Sequence, residues 1–338
     1  MPLLERQRQL AALRERFDAV LRSGRGACVL LSGEAGIGKT SLLRHFAQQL
    51  PPGTQVLSCG CEALFTPRPL GPLIDLAGHL PPSVEHLLHQ GAPQASLFPT
   101  LLRCLGEGAG ARVLIVEDLH WADVGTLDFL RFAGRRVHEL PLLLIVSHRA
   151  EGVDAEHPLQ RLLGDLPAAS TLRIELPPLS RDAVTSLAHA AGRSADALFA
   201  ASHGNPLYVT ELLASQGNAI PATLRDAVRA ALARLSPRAR QLAFAVSLFP
   251  GRAELELLRA MDAFGDDAAS HEAATECMRA AMLVGDATTL AFRHEIARNV
   301  VHEAMAPHAR ARGHAAALAA YGARRPRDED IALRVHHA

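Results

Sequence analysis

The sequence predicts a mixed α/β protein, in which a parallel β-sheet domain is followed by a mainly helical part. Continuous apolar runs at 27–31, 113–116 and 142–146 have the character of strands that are buried on both faces of a parallel sheet. Segments with helical spacing lie between these runs, as in a strand–helix–strand fold. Beyond residue 180 the strand signal fades, and the rest of the 338 residues is expected to be mainly helical.

Residues 1–178 are predicted to form the sheet domain. A Pro- and Gly-rich segment at 62–96 predicts an irregular insertion with short helical pieces. The alternating run at 172–176 predicts a fifth, partly exposed strand that closes the domain. Apolar spacing and breaker residues predict the other elements, which are helices over 3–22, 41–47, 97–105 and 124–138 and strands over 27–31, 55–58, 113–116 and 142–146.

The second part is predicted to contain three regions: a helical domain at 179–235, a winged-helix-like domain at 236–305 and the start of a helical repeat region at 306–338. Ser180 and the pair Ser236-Pro237 are typical of helix starts. Segments 283–286 and 289–292 are expected to pair as a small hairpin among helices, which is the reason for predicting a winged helix.

The loop at 33–40 reads GEAGIGKT and fits the phosphate-binding pattern G-x-x-x-x-G-K-[ST] at every fixed position. It follows an apolar strand and precedes a helix, so its backbone N–H groups and the helix N-terminus are expected to bind phosphate. The alternative is a chance glycine turn. The predicted nucleotide-binding residues are Gly33, Glu34, Ala35, Gly36, Ile37, Gly38, Lys39, Thr40 and Ser41.

Lys39 is the single lysine among the 35 Lys and Arg residues of the chain. A compact ammonium fits between phosphate oxygens, and a planar guanidinium does not replace it there. Lys39 is therefore expected to reach the β- and γ-phosphates, and the Thr40 hydroxyl is expected to bind Mg²⁺.

Two carboxylates, Glu117 and Asp118, end the apolar run at 113–116. Acidic residues at the carboxyl end of a buried parallel strand lie where ligands bind in open α/β sheets. This is the Walker B position, where one acid holds the Mg²⁺ water shell and the other orients the attacking water. The alternative is a helix N-cap at Asp118. By the same placement, Arg149 follows the strand at 142–146 and is expected to reach a γ-phosphate; the alternative is an ordinary surface arginine.

Composition narrows the function classes. The formal net charge is zero, which argues against a broad nucleic-acid contact by this chain. Five cysteines without framework spacing, including Cys59 and Cys61, predict reduced thiols and no zinc site, and the 17 histidines form no HExxH motif. No apolar run is long enough to span a bilayer, and the N-terminus does not resemble a signal peptide. A cytoplasmic location is therefore expected, without membrane contact.

Several motifs, in this order, resemble those of the STAND ATPases, within the AAA+ group of phosphate-loop proteins. The segments that carry the resemblance are LERQRQLAAL at 4–13, GEAGIGKT at 33–40, EDLHWAD at 117–123, HGNPLY at 203–208 and FRHE at 292–295. Within that group the chain looks most like the large ATP-binding regulators with a LuxR-type DNA-binding tail, relatives of the maltose-regulon activator.

The resemblance implies a role for each matched residue. Lys39 and Thr40 would bind phosphate and Mg²⁺, with Glu117 and Asp118 as the Walker B pair and Arg149 as a sensor of the γ-phosphate. In the second part, Asn205 and Pro206 would lie over the nucleotide, and His294 would contact the β-phosphate in an ADP-bound closed state. For His294, a polar residue at a helix N-terminus is the alternative.

The chain also departs from the family pattern. Glu117 stands where Asp is usual, Ser147-His148-Arg149 replaces Thr-Tyr-Arg, and Leu4-Glu5-Arg6 replaces Val-Gly-Arg. Family members continue into helical repeats and a DNA-binding domain, whereas this chain stops at residue 338. A truncated or shortened relative is therefore expected.

These observations lead to a functional hypothesis. The chain is expected to be an ATP/ADP-binding switch with slow hydrolysis, the ATPase module of a transcriptional regulator that responds to an unknown effector and self-associates in the ATP state. The alternative is a turnover AAA+ ATPase that acts as a motor or loader on another macromolecule; a scaffold that binds nucleotide without hydrolysis is a third possibility.

Overall fold

The computed structural model describes residues 3–62, 68–107, 110–149, 153, 156–214, 220–265, 267–323 and 336–337. The chain divides into two compact units, Met1–Pro177 and Pro178–Ala338. Each unit has its own secondary structure and its own core.

The first unit is built on a five-stranded sheet in which every neighbouring pair of strands is parallel. Its strands are β1 (Ala27–Ser32), β2 (Val56–Gly60), β3 (Arg112–Glu117), β4 (Leu142–His148) and β5 (Thr171–Glu175). They lie side by side in the order β2-β3-β4-β1-β5. The predicted α/β class and parallel sheet are confirmed, and β5 is the edge strand that the alternating pattern at 172–176 indicated.

Helices cover both faces of this sheet. They are α1 (Gln7–Ser23), α2 (Lys39–Gln48), α3 (Gly71–Asp75), α4 (Pro82–His89), α5 (Gln94–Gly106), α6 (Val124–Arg136) and α7 (Pro158–Asp165). Short 3₁₀ turns lie at Ala77–His79, Leu119–Trp121, Val137–Glu139 and Ala168–Ser170. The insertion at 62–96 thus contains two regular helices, α3 and α4, and α7 was not predicted.

Alternate residues of the central strands enter two separate cores. In β1, Val29 and Leu31 pack in the core beneath α1 and α2. Cys28 and Leu30 pack in the opposite core, which α3 to α7 cover. Because both faces of the strand are buried, polar positions are excluded from it, and this explains the continuous apolar runs in the sequence.

The second unit is mainly helical. Its helices are α8 (Arg181–Ala190), α9 (Ala195–Ser202), α10 (Pro206–Ala214), α11 (Ala222–Arg234), α12 (Pro237–Ser247), α13 (Leu255–Ala260), α14 (Ala268–Arg279), α15 (Glu295–Ala304) and α16 (Pro307–Ala323). A small antiparallel sheet joins β6 (Arg252–Glu254), β7 (Leu283–Gly285) and β8 (Thr289–Phe292) in the order β6-β8-β7. The hairpin of β7 and β8 is where the sequence predicted it.

Most of the C-terminal segment 331–338, which was expected to start a helical repeat, lies outside the described residues. Within the described part of the chain, no helix combines the length and the apolar character that crossing a bilayer requires.

Candidate nucleotide-binding site

The predicted site residues of the first unit come from three strands that are neighbours in the sheet. The loop 33–38 follows β1, Glu117 ends β3, and Arg149 follows β4, which lies between the other two. Since all three strands are parallel, their carboxyl ends meet at one edge. The structure therefore brings the phosphate loop, both carboxylates and Arg149 to the edge where open α/β sheets bind ligands.

The backbone of the loop requires glycine at its start and end. Gly33 and Gly38 have φ values of +150° and +97°. A Cβ on Gly33 would lie 3.1 Å from the carbonyl oxygen of Leu176 and 3.0 Å from Cγ2 of Ile37, which is itself buried. Gly38 is the N-cap of α2, so the first N–H groups of that helix begin directly after the loop.

The Lys39 ammonium lies across the loop from which it projects. Its Nζ donates hydrogen bonds to the carbonyl oxygens of Gly33 at 2.8 Å and Glu34 at 2.9 Å. Lys39 is only 7% exposed. A buried positive charge that contacts only neutral carbonyl groups among these partners can exchange them for phosphate oxygens, which form stronger, charge-assisted hydrogen bonds.

Thr40 and Glu117 meet directly. The Thr40 hydroxyl donates a 2.5 Å hydrogen bond to Oε2 of Glu117. A hydroxyl and a carboxylate are both oxygen donors, and Mg²⁺ is typically held by one or two such protein groups together with phosphate oxygens and water. The donor set therefore fits Mg²⁺, and Thr40 and Glu117 are the residues that would hold it.

Asp118 has an unusual backbone conformation that separates it from Glu117. Its φ and ψ are 57° and 45°, in the left-handed region. Its N–H donates a hydrogen bond to Oγ of the buried Ser147 on β4 at 3.1 Å. The carboxylate remains 39% exposed. Adjacent acids thus have different environments: Glu117 contacts the phosphate loop, whereas Asp118 is accessible to water.

His120 was not predicted as a site residue. Its side chain is only 7% exposed, and its Nδ1 lies 3.9 Å from Oδ1 of Asp118. Burial, and then the positive charges of Arg149 and Lys39, lower the pKa of His120 to about 3. The ring is therefore neutral near pH 7, and this pair is not an ion pair. Neither ring nitrogen has a hydrogen-bond partner among the described residues.

Arg149 follows β4 at the same edge of the sheet, and its positive charge is one of the causes that lower the pKa of His120. Arg149 itself is half-buried, and its carbonyl oxygen lies 2.8 Å from Nδ1 of the buried His148. In the ladder, His148 is paired with Ser32, the residue before Gly33. The β4 end therefore runs alongside the start of the phosphate loop.

Arg6 holds the phosphate loop through hydrogen bonds to backbone carbonyl oxygens. It is 2% exposed, and its Nη2 donates hydrogen bonds to the carbonyl oxygens of Ile37 at 3.3 Å and Pro177 at 2.8 Å. Burial lowers the pKa of Arg6 from its ordinary value. Glu5 adopts a φ of 55°, in the left-handed region. The segment Leu4-Glu5-Arg6, which replaces the Val-Gly-Arg of the family pattern, thus ties the phosphate loop to the end of the sheet domain.

In the second unit, the predicted residues Asn205, Pro206 and His294 lie in one neighbourhood. Asn205 is buried, and its Oδ1 accepts a hydrogen bond from the N–H of Leu207 at 3.1 Å, so it caps α10, with Pro206 as the first helical residue. The Tyr208 ring lies 4.5 Å from the His294 ring. Their contact with a nucleotide remains a prediction.

The phosphate loop, the paired carboxylates and the parallel sheet have the arrangement of a P-loop ATPase domain. Residues 2–146 match the family described as the AAA ATPase domain. Over these residues the first unit is therefore similar to P-loop ATPases of the AAA+ kind.

Two solved structures resemble the chain in fold. A Walker-type ATPase of Pyrococcus abyssi is 15% identical, with a TM-score of 0.59 over 88% of this chain and 96% of its own. The Aeropyrum pernix ORC2 protein, solved in ADPNP and ADP complexes, is 14% identical, with a TM-score of 0.55 over 89% and 95%.

An uncharacterized protein of Rhizobium meliloti is 28% identical over 373 aligned residues, which cover 90% of this chain. The chain spans only 35% of the length of that relative.

Proposed function

We propose that the chain is a nucleotide-dependent switch that binds ATP and ADP with Mg²⁺, hydrolyses ATP slowly and forms the ATPase module of a longer regulator. The observation that carries the proposal is the direct contact between Thr40 of the phosphate loop and Glu117 of β3. It joins the two groups that a Mg–nucleotide complex needs, beside the enclosed ammonium of Lys39.

Each residue of the proposed site has a separate role in binding or hydrolysing the nucleotide. The N–H groups of the loop and the N-terminus of α2 bind the phosphates, and Lys39 exchanges its loop carbonyls for phosphate oxygens. Thr40 and Glu117 would hold Mg²⁺, which when bound would neutralise charge on the phosphates. Asp118, with its accessible carboxylate, orients the attacking water. Arg149 stabilises the γ-phosphate.

A switch needs a differential affinity for its two states. Moving an equilibrium from 1:99 to 99:1 requires about 5.5 kcal/mol of differential binding. Charge-assisted contacts of one γ-phosphate with Lys39, Arg149 and Mg²⁺ can supply much of this, since each contributes about 1.5–3 kcal/mol. Hydrolysis would then act as a timer that returns the switch to its ADP state.

A second candidate is a turnover ATPase that acts as a motor or loader. The likeness in fold to an origin-recognition protein supports considering it. Such a protein usually presents a strongly basic face to nucleic acid, and the net charge of zero counts against this reading. The two candidates differ in whether the purified protein retains its nucleotide.

The deciding experiment identifies the nucleotide that freshly purified protein releases on denaturation. For a switch we expect nearly one ADP per chain, its loss in Lys39→Ala, and its retention in Arg44→Ala, which removes an exposed cation from the same helix, α2. Release of no nucleotide, followed by rapid ATP turnover, would instead favour the motor. Equal retention by both variants would contradict the assignment of Lys39.

A further inference from the structure

Four histidines of the second unit converge from distant positions in the sequence. His302 lies on α15 and His314 on α16, and His336 and His337 follow 22 and 23 residues later. One ring nitrogen from each of His314, His336 and His337 lies within 4.8 Å of the other two. None of these histidines is among the predicted nucleotide-binding residues.

The contacts within the cluster give His314 two distinct neighbours. Its Nδ1 lies 2.9 Å from Nδ1 of His337, and its Nε2 lies 3.2 Å from Nε2 of His302. Two imidazole ligands of a tetrahedral zinc ion are separated by about 3.4 Å, given Zn–N distances of about 2.0–2.1 Å. His314 can therefore direct one nitrogen to an ion that it shares with His337, while His302 accepts a hydrogen bond from the other.

Packing holds His337 in place. It is only 4% exposed, and the rings of Phe249 and Tyr321 lie 5.2 Å and 5.8 Å from its own. Its Nε2 is buried without a hydrogen-bond partner among the described residues.

We propose that His314, His336 and His337 bind one divalent transition-metal ion, with Zn²⁺ as the ion of choice, and that His302 orients His314. Imidazole ligands suit zinc and its neighbours in the first transition row, whereas Mg²⁺ and Ca²⁺ require oxygen ligands. Three histidines leave one tetrahedral position for water, which can reach the site because His336 is exposed. The ion would fasten residues 336–337 to α16.

The test is a calorimetric titration of the tag-free full chain with ZnCl₂, supported by the visible spectrum of the Co²⁺ form. We expect one tightly bound ion per chain and at least tenfold weaker binding in His336→Ala and His314→Ala. Because His336 is exposed, its replacement should leave the fold intact, which circular dichroism checks. His302→Ala should weaken binding by about 10–100-fold, as loss of an orienting partner does.

His308→Ala is the matched control, because His308 is an exposed histidine on the same helix, α16. This variant should bind Zn²⁺ like the wild type. Equal affinity of the His308, His314 and His336 variants would overturn the proposal, as would a wild-type chain that takes up no ion or binds several with similar weak affinity.

Discussion

His120 shows what a single buried residue adds to the candidate site. Its neutral ring lies 3.9 Å from the carboxylate of Asp118, and the positive charges of Arg149 and Lys39 contribute to its lowered pKa. An imidazole that stays neutral and lacks a hydrogen-bond partner can accept or donate one hydrogen bond when water or a phosphate enters. We infer that it positions groups around Asp118 and does not carry charge.

The first prediction concerns pH. The ring of His120 titrates near 6.5 when unfolded and near 3 when folded, so between these values the unfolded chain binds more protons. The contribution of the neutral His120 ring to the stability of the folded chain is complete above pH 6.5 and is lost as the pH falls towards 3. In the ideal case the free energy of unfolding changes by about 1.4 kcal/mol per pH unit over this range, and solvent near the sheet edge reduces that slope. When the pH is lowered from 6.5 to 5, the free energy of unfolding of His120→Asn should therefore fall by about 1 kcal/mol less than that of the wild type.

Urea unfolding at the two pH values measures this difference. His86→Asn provides the control, because His86 is an exposed histidine on α4 of the same unit. The interpretation of His120 is wrong if both variants show the pH dependence of the wild type.

At the residue scale, the sequence was informative where chemistry demands a local pattern. The phosphate loop is contiguous, so Lys39 and Thr40 could be predicted from spacing alone. Arg6 contacts Pro177, and no local pattern reports a contact across that distance. The histidine cluster was missed for the same reason, since searching for motifs such as HExxH finds only ligands that are close in sequence.

At the scale of elements, Gly204 fixes the turn between α9 and α10. It has a φ of +77°, and an added Cβ would lie 2.2 Å from the carbonyl oxygen of Leu179. The two residues are already joined by a 2.8 Å hydrogen bond from the Leu179 N–H to the Gly204 carbonyl oxygen. The turn therefore requires glycine both for its backbone conformation and for a close approach of two backbones.

The second prediction is that Gly204→Ala destabilises the protein by about 2–4 kcal/mol, because strain adds to a backbone clash. Thermal unfolding measures the effect. Gly192→Ala is a matched control, since Gly192 has a φ of +64° but no atom within 4 Å of an added Cβ. Gly192→Ala should lower the free energy of unfolding by only about 1–2 kcal/mol. Similar losses in both variants would show that the clash with Leu179 is relieved.

Sequence patterns predicted some elements better than others. The buried strands β1, β3 and β4 were found because both of their faces exclude polar residues. Helix α7 has only eight residues and was not predicted, and the three residues of β6 are too few to show a period. Helices α3 and α4 are the short helical pieces expected in the Pro- and Gly-rich segment, and each has a proline in its first turn.

At the scale of the whole molecule, the candidate site depends on groups that several strands bring to one edge of the sheet. The fold and the phosphate loop could be predicted from sequence, whereas the distance between Thr40 and Glu117 depends on the strand order β3-β4-β1. That order is a property of the complete sheet and is not visible in any one segment.

The third prediction separates nucleotide binding from turnover. Asp118→Asn should reduce ATP hydrolysis by about 10²–10⁴-fold, the usual contribution of a group that activates water. It should leave the amount of retained nucleotide unchanged, because Lys39 and Thr40 hold the phosphates. Phosphate release and nucleotide content are measured on the same preparation. Asp18→Asn, at an exposed position on α1, should change neither. Undiminished turnover in Asp118→Asn would mean that Glu117 or another group activates the water.

The strand order also has a consequence for biosynthesis. β1 is the first strand that a ribosome releases. In the five-stranded sheet it lies between β4 and β5, which are the last two strands of that sheet to be synthesised. Its partner β4 is complete only at His148, so at about 5–20 residues per second β1 waits roughly 6 to 25 s for its first neighbour. During that interval an apolar strand has both edges open. The nascent chain therefore needs shielding from aggregation until the middle of the sheet has been synthesised.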